Sequence, residues 1–127
     1  MKDRETRNIT IVGGGFIGWE IASTLKATYK DKVKVTVVDN NAVPHQKVFG
    51  ADIARVLLKI AKNNGIHYEN NTTIRGSEGN PEDDQVRNIV LTNKNIVATD
   101  LMILATGVRP VTNFVGDLTL DAKVVFD

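Results

Sequence analysis

The sequence predicts an α/β domain of three layers, a parallel sheet with a β-meander inserted late in the chain. Three observations carry this expectation. Apolar runs of strand length alternate with helix-periodic segments in the order strand, helix, strand, helix, strand. Glycines cluster at the end of the first run, and the last apolar run follows a group of short segments broken by polar turns.

Ile9 to Val12, interrupted only by Thr10, has the composition of a strand covered on both faces. From Ile17 onward, Ile21, Leu25 and Tyr29 recur every four positions with Ala22 beside them, which makes one face of a helix. Phe16 and Trp19 then fall on the opposite side and are expected to be exposed. Val33 to Val38 is a second strand. After the irregular NNAVPHQ, the segment Gly50 to Asn64 sets Ile53, Val56, Leu57, Ile60 and Ala61 on one stripe, and Gly65 stands where a left-handed cap is expected. Ile66 to Glu69 begins a third strand. Thr72 to Arg75, Gln85 to Leu91 and Asn95 to Ala98 make the meander, with SEGNPEDD as a polar turn, and Asp100 to Ala105 returns as a buried strand.

A length of 127 residues suits one domain with its own core. The expected organisation is a flexible lead-in over residues 1–7, charged and without a signal peptide's apolar core, and a folded domain over residues 8–116. With 42% hydrophobic and 24% charged residues, and no apolar run near 18 residues, a soluble chain without a membrane span is expected. A net charge of +1 gives no field suited to nucleic acid. The absence of cysteine removes disulfides, thiolate zinc sites and a redox thiol pair. His45 and His67 lack spaced partners, so no metal site is expected, and SEGNPEDD lacks the ligand spacing of a calcium loop. With neither a Tyr-x-x-x-Lys pair nor a Ser-His-Asp set, no catalytic residue of the chain's own is expected.

The glycines point to a ligand. In ITIVGGGFIGWE, Gly13, Gly15 and Gly18 fit G-x-G-x-x-G, with Gly14 in the first open position. Gly13 suits a tight turn, Gly15 lets a pyrophosphate approach the backbone, and Gly18 lets helix and strand pack closely. The pattern alone is common. Here it follows a strand, opens a helix, and is answered by Asp39 at the end of the second strand, 21 positions after Gly18. That context makes the domain Rossmann-like. The Asp39 carboxylate can accept hydrogen bonds from ribose hydroxyls and repels a 2′-phosphate, so NAD(H) is the expected cofactor. Asn40, Asn41 and Ala42 supply no arginine for such a phosphate, while Lys47 keeps NADP(H) open.

GGGFIGWEIA extends the pattern through Glu20 and Ala22, and DLMILATGVRP carries Ala105-Thr106-Gly107 at a strand end. Together with KVFGADIARVLLKIAKNNGIHY, these segments resemble the NAD-binding domain of the pyridine nucleotide-disulfide oxidoreductase family, most like its apoptosis-inducing-factor branch, over about residues 7 to 116. The resemblance implies a domain inserted between two halves of an FAD-binding domain, delivering the nicotinamide of NADH to the flavin. It implies that Gly13, Gly14, Gly15, Phe16, Ile17 and Gly18 surround the pyrophosphate. Asp39, where the family more often has Glu, then meets the ribose beside Asn40, with Glu20 and Gly107 near the nicotinamide. Residues 117–127 resemble the start of the returning flavin half, whose own fingerprints are not found here. The expected partners are therefore NADH and a separate FAD-binding domain, in an intracellular setting, mitochondrial or cytoplasmic. The alternative is a stand-alone nucleotide-binding or S-adenosylmethionine-dependent domain of the same fold.

Overall fold

The computed structural model describes residues 5–111. Four strands, β1 (Asn8–Val12), β2 (Lys34–Val38), β3 (Ile66–Glu69) and β7 (Leu101–Leu104), form a parallel sheet in the order β3-β2-β1-β7. In the register, Ile9 stands between Val35 and Leu101, and Val12 between Val38 and Leu104. Alternation of side chains about this sheet builds two cores. Ile9, Ile11, Val35, Val37 and Ile66 cluster with Ala22 of helix α1 (Phe16–Tyr29) and Ala61 of helix α3 (Ala51–Asn63). On the other face Val38 meets Ile89 and Leu91 of the antiparallel meander β4 (Ile74–Asn80), β5 (Gln85–Leu91) and β6 (Ile96–Ala98). Helices, parallel sheet and meander are the three layers expected, an α/β Rossmann-like arrangement.

The helices bury faces other than the ones the large apolar residues suggest. On α1 the buried positions are Gly18 and Ala22. Ile17 and Tyr29 are 50% and 48% exposed, while Ile21 and Leu25 pack only at the margin of the core. Small residues four apart let the helix backbone approach β1, so the contact line runs through them. Phe16 is exposed, as expected. Trp19 is not: one position past Gly18, it packs against the core and makes an edge-on contact with His45 at 5.2 Å between ring centroids. On α3, Ala54 and Ala61 are buried, and Ile53, Val56 and Ile60 of the expected core stripe are exposed.

Other differences are local. A short helix, α2 (Gln46–Phe49), grows out of the segment expected to be irregular, led in by His45 at a left-handed φ of 68°. Gly65 has the left-handed φ expected of it, 83°, just past α3. β4 runs through Asn80, so half of SEGNPEDD is strand and the turn is confined to residues 81–84. β7 pairs only with β1 among the described residues, so it is an edge strand, and Leu101 and Leu104 are exposed where burial was expected. Its entry is tied to β1 by Asp100, whose Oδ2 accepts hydrogen bonds from the backbone N–H groups of Arg7 and Asn8. No helix among the described residues is long and apolar enough to cross a membrane. Residues 1–4 of the expected lead-in and the returning segment 117–127 lie outside the described residues.

Candidate dinucleotide groove

The site begins where β1 runs into the glycines. The Gly13 N–H donates to the Val38 carbonyl at 2.8 Å, which prolongs the sheet by one bond and turns the chain over the end of β2. Gly13 has φ 108°, and a Cβ there would collide with the Ala105 carbonyl that follows β7. A Cβ on Gly18 would collide with the Gly13 carbonyl in turn. The strand end, the turn and the first turn of α1 are thus stacked backbone on backbone. Gly15 differs from both: nothing in the protein lies within 4 Å of where its Cβ would stand. It is the residue before α1, no side chain caps the helix there, and the first turn holds no acidic residue. The N–H groups of Phe16, Ile17 and Gly18 therefore lie at the positive end of the helix with no intrahelical acceptor.

Around this corner runs a groove of about 370 Å³. Gly13, Gly14, Gly15, Phe16 and Ile17 form its floor, Asp39 and Asn40 one end, and Ala105, Thr106 and Gly107 the other. The structure thus brings together eight of the ten residues named from sequence. Gly18 is buried beneath the turn, and Glu20 is exposed on the next turn of α1, outside the groove lining. Asn41, Thr72 and Thr73 also line it and were missed. Asn41 had a local signal, two positions after an aspartate, where an Asx turn places a bonding partner. The threonines had none, because only the parallel pairing of β2 with β3 brings them there.

Asp39 is 7% exposed, and both of its carboxylate oxygens accept hydrogen bonds. Its Oδ2 accepts the Gly14 N–H at 2.8 Å, and its Oδ1 accepts the Asn41 backbone N–H at 2.7 Å and the Asn41 side-chain amide at 2.9 Å. Its own backbone is held on both sides, N–H to the Glu69 carbonyl at 2.9 Å and carbonyl from the Thr72 N–H at 3.2 Å. Burial pushes the nearby Tyr68 hydroxyl up to about 12, with the Asp39 charge adding to the effect. Burial also lowers the His45 pKa, and Asp39 opposes that shift. Phe16 leans on His45 at 5.2 Å and edge-on against Phe49 at 5.7 Å. Beyond Phe16 and Asn41 a second cavity of about 450 Å³ continues along residues 42–48, with Lys47 in its wall.

A groove at the carboxyl ends of parallel strands, cornered by glycine backbone over a helix N-terminus, defines a Rossmann-like domain of the dinucleotide-fingerprint type. The chain belongs to the pyridine nucleotide-disulphide oxidoreductase family, whose model matches residues 1–126. It is 30% identical over 111 residues to apoptosis-inducing factor 3 of Homo sapiens, a match covering 85% of this chain and 17% of that protein. It is 32% identical over 114 residues to an NADH oxidase of Mycoplasma genitalium, covering 90% and 23%. Among solved structures it is similar to the water-forming NADH oxidase from Lactobacillus brevis bound to NADH, with TM-score 0.74, 29% identity and coverage of 87% of this chain and 23% of that one. It is also similar to an FAD-dependent pyridine nucleotide-disulphide oxidoreductase from Desulfovibrio vulgaris, with TM-score 0.76, 26% identity and coverage of 97% and 29%. The chain thus spans only 17% and 23% of the length of these two curated relatives.

Proposed function

We propose that this chain is the NAD(H)-binding part of a flavin-dependent oxidoreductase, holding the dinucleotide so that its nicotinamide faces a flavin bound by other segments of a longer protein. The observation that carries the proposal is the bare Gly15 corner, with helix N–H groups on one side and Asp39 at the end of the same groove. A pyrophosphate fits there because its charge meets the helix dipole and its oxygens meet the N–H groups of residues 16–18 without a Cβ in the way. The adenosine then lies toward Asp39, Asn40 and Asn41, with the second cavity to receive its base. The nicotinamide lies at the opposite end, toward Gly107.

When bound, the dinucleotide supplies a hydride. The chain's own residues bind and orient it, and none lining the groove has a redox-active side chain. Oδ2 of Asp39 accepts one bond and has a second lone pair for a ribose hydroxyl, and the carboxylate's charge disfavours a 2′-phosphate. Family membership and the similarity to an NADH oxidase bound to NADH support the same ligand. Parallel calorimetric titrations with NADH, NADPH, FAD and S-adenosylmethionine test this. NADH is expected to bind tightest and to shift the backbone amide resonances of residues 13–18. Tighter binding of S-adenosylmethionine or FAD, with no response to NADH, overturns the proposal.

A further inference from the structure

The middle glycine of the GGG run has a partner that the fingerprint does not mention. A Cβ on Gly14 would collide with Asp39 Oδ2 and stand 3.1 Å from its Cγ and 3.2 Å from its Cβ. Asp39 cannot retreat by moving its backbone, because both its N–H and its carbonyl are bonded to the segment around β3. Nor can the carboxylate swing away freely. Doing so leaves the buried Gly14 N–H without its acceptor and abandons both bonds from Asn41. Gly14 and Asp39 therefore form one unit, a hydrogen-bonded clamp between the β1 turn and the β2 end.

We propose that Gly14 is a positioning residue for cofactor choice: by leaving room for the Asp39 carboxylate and donating to it, Gly14 holds the negative charge at the ribose end of the groove, which admits a free 2′-hydroxyl and rejects a 2′-phosphate. The proposal rests on the NAD(H) assignment above and adds to it the residue that sets the selectivity. A methyl group at position 14 turns the carboxylate out of place, which weakens NADH and relieves NADPH together. Gly15 is the contrasting case. A methyl there touches nothing in the protein and projects only toward the pyrophosphate, which the two cofactors share.

The test is a set of paired NADH and NADPH titrations on the 127-residue chain and its variants Gly14→Ala, Gly15→Ala, Asp39→Ser and the Gly14→Ala/Asp39→Ser double, with circular dichroism and thermal melting on each. Gly14→Ala is expected to lose NADH affinity on the order of tenfold, the size of a charged hydrogen bond, and to bring the NADH to NADPH ratio toward one. Gly15→Ala should weaken both cofactors alike and keep the parent's ratio. In the Asp39→Ser background the Gly14→Ala change should alter neither ratio nor melting temperature much further. Should Gly14→Ala fail to fold, the double variant reads the same coupling by folding where the single does not. An unchanged ratio in a folded Gly14→Ala, or an effect of equal size with and without Asp39, overturns the proposal. A parent chain that binds neither dinucleotide overturns the NAD(H) assignment itself, and the selectivity role falls with it.

Discussion

Two residues show how local chemistry is set by distant neighbours. Thr10 lies in the middle of β1 and is fully buried, with its hydroxyl 2.8 Å from that of Thr99, just before β7. Because Thr99 donates to the Val97 carbonyl at 3.0 Å, the Thr10 hydroxyl is the donor of the pair. Thr10→Val should then cost about 1 to 2 kcal/mol, since it keeps shape but leaves the Thr99 oxygen without that donor. Urea denaturation measures this, and replacing both threonines by valine should cost less than the two single changes summed. His45 gives a pH signature. Burial lowers its folded pKa below the usual 6.5, and Asp39, the charge facing it, only partly opposes this. The unfolded chain therefore binds the proton first as pH falls, so the stability contributed by neutral His45 is present above about 6.5 and is lost as pH drops through the folded value. The melting temperature should fall between pH 7 and 5, and His45→Asn, which tolerates the left-handed φ of 68°, should flatten that dependence.

At the scale of an element, helix α3 separates apolar character from burial. Its hydrophobic periodicity is unambiguous, yet its buried residues are Ala54 and Ala61, and the larger Ile53, Val56 and Ile60 are exposed. The helix meets the sheet's core cluster at Ala61. Ala61 is buried in the sheet's core cluster, so a charge placed there is taken out of water, and Ala61→Glu should destabilise by about 3 kcal/mol or more. Ile60→Glu, one position away, should change stability by no more than about 0.5 kcal/mol. Equal shifts in the denaturation midpoints of these two variants would reverse the assignment of faces. Helix existence and length were legible because a repeat of three and four survives any rotation about the axis. Which side faces inward depends on how near the backbone can come to its neighbour, and that is a property of the pair.

At the scale of the whole molecule, the groove belongs to the sheet order and not to any one segment. Its two ends are the carboxyl ends of β2 and β7, which flank β1, so a ligand lying across it spans three strands. On the proposed function, the residues there hold a hydride donor. None of the groove's side chains can accept its electrons, and the chain has no cysteine. The chain alone should therefore bind NADH and not oxidise it, either with free FAD or with a dye acceptor, followed by the loss of reduced-nicotinamide absorbance at saturating protein. Turnover that disappears in Asp39→Ala would mean that this chain carries an acceptor site of its own.

From sequence alone came the alternation of strands and helices, the glycine corner and the acidic residue answering it, because each is written in spacing along the chain: two for strands, three to four for helices, fixed offsets for the fingerprint. Tertiary structure decided everything that depends on distance through space. It turned the alanines of α3 and the Gly18–Ala22 line of α1 inward and left β7 at an edge of the sheet that the described residues form. It brought Thr72 and Thr73 into the groove and set the Asp39 carboxylate against Gly14, 25 positions earlier in the chain. Close packing selects the smallest side chains for the nearest approaches, and a linear pattern that weighs residues by size and hydrophobicity passes over those positions.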